Sequence, residues 1–132
     1  RALRVTGFIP IVRGTAQAST TVEAGVATLR KGLSLFAYPE GTRSTTGELQ
    51  AFHRGVFLMA IRAGVPVVPI TLLGTRAIMR KGDPRVHPGQ MVAVFHEPIP
   101  TAGLREEDRL RLTERVRQAI ASRLPAAAAL NV

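Results

Sequence analysis

The stretch LSLFAYPEGTRS, residues 33–44, decides how this chain is read. Its first six residues are apolar except for Ser34, the pattern of a short strand buried on both faces. Pro39 donates no backbone N–H, so it stops a ladder and fixes the direction in which the chain leaves it. A carboxylate, a glycine, two hydroxyls and a guanidinium follow at once, in Glu40, Gly41, Thr42, Arg43 and Ser44. An ordinary turn needs Gly, Pro or Asp, but it does not need an arginine so close to a glutamate.

The segments on either side alternate in type. Upstream, residues 8–12 (FIPIV) read as a strand and residues 19–31 as a helix. Thr20 and Glu23 have capping-box spacing, Val22, Val26 and Leu29 line one face, and Gly32 sits where a C-terminal cap belongs. Downstream, residues 55–62 read as a short apolar helix ended by Ala63-Gly64, and residues 65–73 as a second buried strand punctuated by Pro66 and Pro69. Residues 78–88 form a basic loop, residues 91–95 a further strand, and residues 105–124 a helix with Leu112, Val116, Ile120 and Leu124 at every fourth place. The order strand, helix, strand, loop, helix, strand predicts an α/β fold with a largely parallel sheet flanked by helices. With no repeat and no linker, residues 1–132 form a single domain. Because Arg1 runs almost directly into strand-like sequence, the amino-terminal part of that domain is expected to be missing. In such sheets ligands lie beyond the carboxyl ends of the strands, which is where the loop after Tyr38 sits.

Composition narrows the partners. The net charge is +9, and arginine supplies sixteen of the eighteen basic residues. Guanidinium is weakly hydrated and forks onto phosphate oxygens, so the chain suits lipid headgroups, phosphorylated small molecules or nucleic acid. With five Phe, one Tyr and no Trp, mostly in apolar segments, it lacks the aromatic platform of single-strand binders, so no specific nucleic acid is expected. The absence of cysteine excludes disulfides and thiolate metal sites. His53, His87 and His96 show no close metal-ligand spacing, so no metal is expected. No run approaches the roughly 20 apolar residues of a spanning helix.

The loop itself has the parts of a phosphate cradle. Gly41 permits positive φ and close approach of a ligand to the backbone. Thr42 and Ser44 supply hydroxyls, and Arg43 supplies a planar fork for two phosphate oxygens. Glu40 would repel phosphate, so its expected role is structural, accepting backbone N–H groups or holding an arginine. The alternative is a Ser/Thr-type turn with an incidental arginine.

Tyr38-Pro-Glu-Gly-Thr-Arg-Ser44 resembles the Phe-Pro-Glu-Gly-Thr-Arg-Ser motif of the lysophosphatidic acid (1-acylglycerol-3-phosphate) acyltransferase family. Gly7-Phe-Ile-Pro-Ile-Val-Arg13, Phe52-His-Arg-Gly55 and Val65-Pro-Val-Val-Pro69 resemble other family blocks and stand in the family's order. The resemblance covers about residues 7–73. It implies transfer of an acyl group from acyl-CoA or acyl carrier protein to lysophosphatidic acid, with no further cofactor, at the cytoplasmic face of a membrane. The protein would be peripheral or anchored by residues upstream of this chain. The resemblance also implies that Arg13 and Arg43 bind the acceptor phosphate, that Glu40, Gly41, Thr42 and Ser44 shape the pocket, and that His53 and Arg54 are possible further contacts. The family's catalytic His-x-x-x-x-Asp pair is absent: the residues five places after the three histidines are Leu58, Val92 and Thr101. This chain alone is therefore expected to be inactive. A non-catalytic module binding anionic lipid or nucleic acid is the alternative reading.

Overall fold

The computed structural model describes residues 17–79 and 82–125, and the helix Gly55–Ala63 (α2) stands at its centre. Eight of its nine residues are apolar or glycine, so it can bury two faces rather than one. On one side Phe57 and Ile61 join Phe52, Ile99, Leu112 and Val116 in a core cluster. On the other, Met59 packs with Val22 and Val26 of the preceding helix Gln17–Arg30 (α1). Each fully buried side chain of this size stabilises by about 1.5–3 kcal/mol relative to exposure. Gly64, at φ 69°, ends α2 by donating its N–H to the carbonyls of Ala60 and Ile61, as the sequence predicts.

α1 begins at Gln17, ahead of the predicted start, so Thr20 and Glu23 lie inside the helix and do not cap it. Glu23 instead pairs with Arg62 Nη1 of α2. The same guanidinium donates from Nε and Nη2 to the two carboxylate oxygens of Glu106, at 2.7 and 3.1 Å. These hydrogen bonds hold the Glu106 carboxyl below its ordinary range and raise Arg62. Arg62 thereby ties α1 and α2 to the 3-10 turn Glu106–Asp108, which leads into the helix Arg109–Ala121 (α4). Three of the four predicted stripe residues lie on that helix, Leu112 and Val116 buried against α2 and Ile120 packed beside them, while Leu124 falls past its end at Ala121.

Strands Ile70–Leu73 (β1) and Val92–Phe95 (β2) pair antiparallel, Ile70 opposite Phe95 and Leu73 opposite Val92. The helix Thr75–Ile78 (α3) lies in the connection between them. The molecule is thus α/β, with helices around a small sheet, but no parallel pair occurs among the described residues. A buried apolar run carries no information about strand direction, and here the connection returns the chain beside the strand it left. Its two ends meet where a Cβ on Gly74 would lie 2.1 Å from the Gln90 carbonyl oxygen. The strand predicted over residues 65–73 is also interrupted. Val67 exchanges both backbone hydrogen bonds with Ile99, and regular pairing resumes only after Pro69, which has no N–H to give.

Residues 33–38 form no helix and make no ladder among the described residues. Leu35 packs toward α1 and α2. Phe36 and Tyr38 point the other way, 64% and 68% exposed, with their rings edge to face at 5.1 Å. The expectation of a segment buried on both faces is corrected to this extent: Phe36 and Tyr38 stand exposed, with no covering layer among the described residues. Among the described residues, no helix is long and apolar enough to cross a membrane.

Candidate functional site

The loop after Tyr38 is closed at its neck. The Gly41 N–H donates to the Tyr38 carbonyl at 3.0 Å in a tight turn over Pro39 and Glu40, and Gly41 itself has φ 68°. The far end of the loop returns to the same place: His53 N–H donates to the Pro39 carbonyl at 2.7 Å, and Gln50 N–H to Glu40 Oε2 at 2.8 Å. Glu40 thus turns its charge into the neck of the loop. Hydrogen bonds of this charge-assisted kind contribute about 1.5–3 kcal/mol each, at the low end where water competes.

The middle of the loop is organised by hydroxyls. Ser44 Oγ accepts the Gly47 N–H at 2.9 Å, Thr46 Oγ1 accepts the Glu48 N–H at 3.3 Å, and the two hydroxyls lie 3.4 Å apart. This is the Ser/Thr-type turn that the sequence offers as the alternative, and it occurs together with the exposed Arg43 rather than instead of it. Thr42 and Arg43 sit at the exposed tip, between the Gly41 turn and the Ser44 turn. Two local turns thus fix the backbone on either side of one guanidinium.

A residue from outside the loop braces it. Arg76, in α3, donates from Nη1 to the Thr46 carbonyl at 2.8 Å and from Nη2 to the Thr45 carbonyl at 3.0 Å. A lone arginine thirty residues from the carbonyls it grips gives no local pattern to find. Of the other expected residues, His53 and Arg54 stand exposed beside the neck, Arg54 immediately before α2 and making no side-chain cap to it. Arg13 lies outside the described residues.

The β1–β2 connection holds a separate polar cluster. Asp83 Oδ2 lies 3.0 Å from His87 Nε2, while Oδ1 accepts the Arg85 backbone N–H at 2.9 Å and its Nε at 3.2 Å. The hydrogen bond from His87, followed by those from Arg85, lowers the Asp83 carboxyl from 3.8 to about 2. The cluster ties this connection together around Asp83.

The pattern of the Acyltransferase family matches residues 1–73, more than half of the chain, and the chain belongs to that family. It is 41% identical over 98 residues to a 1-acyl-sn-glycerol-3-phosphate acyltransferase of Chlamydomonas reinhardtii, covering 74% of this chain and 28% of that protein. It is 33% identical over 102 residues to the human alpha enzyme of the same name, covering 77% and 36%. The crystal structure of the 1-acyl-sn-glycerophosphate (LPA) acyltransferase PlsC from Thermotoga maritima superimposes with a TM-score of 0.69 at 28% identity, over 77% of this chain and 42% of that one. The chain thus spans between a quarter and two-fifths of the curated relatives described here.

Proposed function

We propose that this chain supplies the acceptor-binding part of a 1-acylglycerol-3-phosphate O-acyltransferase in phospholipid biosynthesis. The acceptor is lysophosphatidic acid and the product phosphatidic acid. The acyl donor is a thioester, acyl-CoA or acyl carrier protein, and no other cofactor takes part. In the transfer, the free glycerol hydroxyl attacks the thioester carbonyl, the C–O bond forms as the C–S bond breaks, and the hydroxyl proton ends on the departing thiol. The resemblance gives the proton-accepting step to a His-x-x-x-x-Asp pair. Because this sequence contains none, the role of its own residues is to bind and orient the acceptor phosphate.

The observation that carries the reading is the double closure of the loop, Pro39 to His53 and Glu40 to Gln50, which leaves Thr42 and Arg43 at the tip. Arg43 forks onto the phosphate with Arg13, Thr42 and Ser44 contribute hydroxyls, and Gly41 lets the phosphate approach the backbone. His53 and Arg54 flank it. The protein works at the cytoplasmic face of the membrane, where its arginines meet anionic headgroups. In the same domain, residues 33–38 serve as a strand of a largely parallel sheet, a role supported by their apolar sequence.

The test is titration with lysophosphatidic acid. Arg43→Ala should weaken binding about tenfold or more, the loss of a charge-assisted pair, with an unchanged unfolding midpoint. Equal affinity in the variant would refute the phosphate role of Arg43.

A further inference from the structure

Beside the end of the acceptor loop, a concavity of about 360 Å³ opens between α4 and the segment that enters α2. Ala51, Phe52 and Arg54 form one wall, and Leu110, Thr113, Glu114 and Arg117 form the other. The four α4 residues follow one helical stripe, at intervals of three, one and three, so a single helix face lines the cleft. Neither Arg54 nor Arg117 has a carboxylate partner among the described residues. Arg117 reaches the Leu49 carbonyl at 3.5 Å, and Glu114 accepts a hydrogen bond from Gln118 at 3.2 Å. Leu110 is 52% exposed beside these charges. Two unpaired guanidinia, one engaged carboxylate and an open apolar side chain describe a site for an anion attached to an apolar body.

We propose that this cleft is a second phosphate site, separate from the tip of the acceptor loop, which takes a phosphate ester carried on an apolar or partly apolar group. Arg54 and Arg117 pair with the phosphate oxygens, Leu110 and Phe52 meet the carbon skeleton, and Glu114 limits the affinity. Such an ester reaches the protein either as a membrane headgroup or as a soluble compound. The cleft shares Arg54 with the flank of the acceptor loop but none of the residues at its tip, so the test turns on Arg117 and Glu114, which the acceptor reading does not use.

The experiment is run on the full chain with Arg43→Gln in the background, so that the loop tip does not contribute. One arm uses vesicles of phosphatidylcholine and phosphatidic acid, four parts to one, and the other uses coenzyme A in solution. In the arm that binds, Arg117→Gln should weaken binding about fivefold. Glu114→Gln should strengthen it by a similar factor, because it removes the repelling charge and keeps an acceptor for Gln118. Binding to vesicles assigns the headgroup, and binding to coenzyme A assigns the soluble ester. If neither ligand binds, or if Glu114→Gln weakens binding or leaves it unchanged, the proposal is overturned. An unchanged unfolding midpoint in Glu114→Gln separates this gain from adsorption of a misfolded chain. The single Arg43→Gln variant reports separately on the acceptor loop.

Discussion

Replacing Arg76 with alanine tests whether the acceptor loop is ordered from outside itself. The guanidinium makes two parallel hydrogen bonds, 2.8 and 3.0 Å, to the carbonyls of Thr46 and Thr45. Both carbonyls are exposed, so in the variant water replaces the arginine and little folding energy is lost. What is lost is the preference of the loop for one conformation. Each bond contributes a net 0.5–1.5 kcal/mol at most in water, so about 1–2 kcal/mol of loop order disappears. If binding requires the ordered loop, lysophosphatidic acid affinity should fall about five- to thirtyfold. The unfolding midpoint should fall by less than about 5 °C. Titration calorimetry gives the first number, and amide exchange at Gly47 and Glu48 reports the loosening directly. Arg76→Lys should recover only part of the affinity, since an ammonium has no planar fork to span both carbonyls. If Arg76→Ala binds like the native chain while Arg43→Ala does not, the brace is irrelevant to recognition. Full recovery by lysine would refute the bidentate argument.

Gly74→Ala should destabilise the chain by more than about 2 kcal/mol, because the new Cβ would stand 2.1 Å from a backbone oxygen at a φ of 81°. Denaturant unfolding measures this, and a loss below 1 kcal/mol would mean that the two ends of the connection separate easily. Thr71→Val keeps the shape of a fully buried side chain but removes a hydroxyl that donates to the Ile120 carbonyl at 3.0 Å and meets His96 Nε2 at 2.8 Å. It should cost about 1–3 kcal/mol, read from the same unfolding curves, and a neutral result would show that water reaches both partners. The Asp83 carboxyl is lowered in the folded chain from 3.8 to about 2, so the contribution of its cluster is complete above about pH 4 and is lost as pH falls toward 2. Amide exchange at Arg85 should accelerate across that window, and Asp83→Asn should abolish the dependence. An acceleration that persists in Asp83→Asn would assign it to another group.

Much of the helical architecture is legible in the sequence because helices advertise themselves locally. The stripe of α4, the apolar run of α2 and the glycines that end α1 and α2 all depend on spacing alone. Sheet pairing does not, since nothing in residues 70–73 or 92–95 states which strand each will meet or in which direction. The Thr20 and Glu23 spacing misleads for a related reason. A capping box and an exposed Thr/Glu pair inside a helix look identical until the start of the helix is known, and Glu23 is placed where Arg62 can use it. In the loop, Glu40 and Gly41 are readable because their partners lie within a dozen residues. Arg76 is not, because its partners are backbone carbonyls thirty residues away, and a carbonyl leaves no trace in residue identity.

The outward face of residues 33–38 bears on how copies of this chain behave together. Phe36 and Tyr38 form an exposed aromatic pair, an apolar patch against which a second copy of the chain can pack. A net charge of +9 opposes that encounter through repulsion that acts over roughly 10 Å at 0.1 M salt and only about 3 Å at 1 M. Solubility should therefore be governed by ionic strength in the sense opposite to salting-in: dilute buffer keeps the molecules apart, and concentrated salt lets this aromatic edge act as an adhesive.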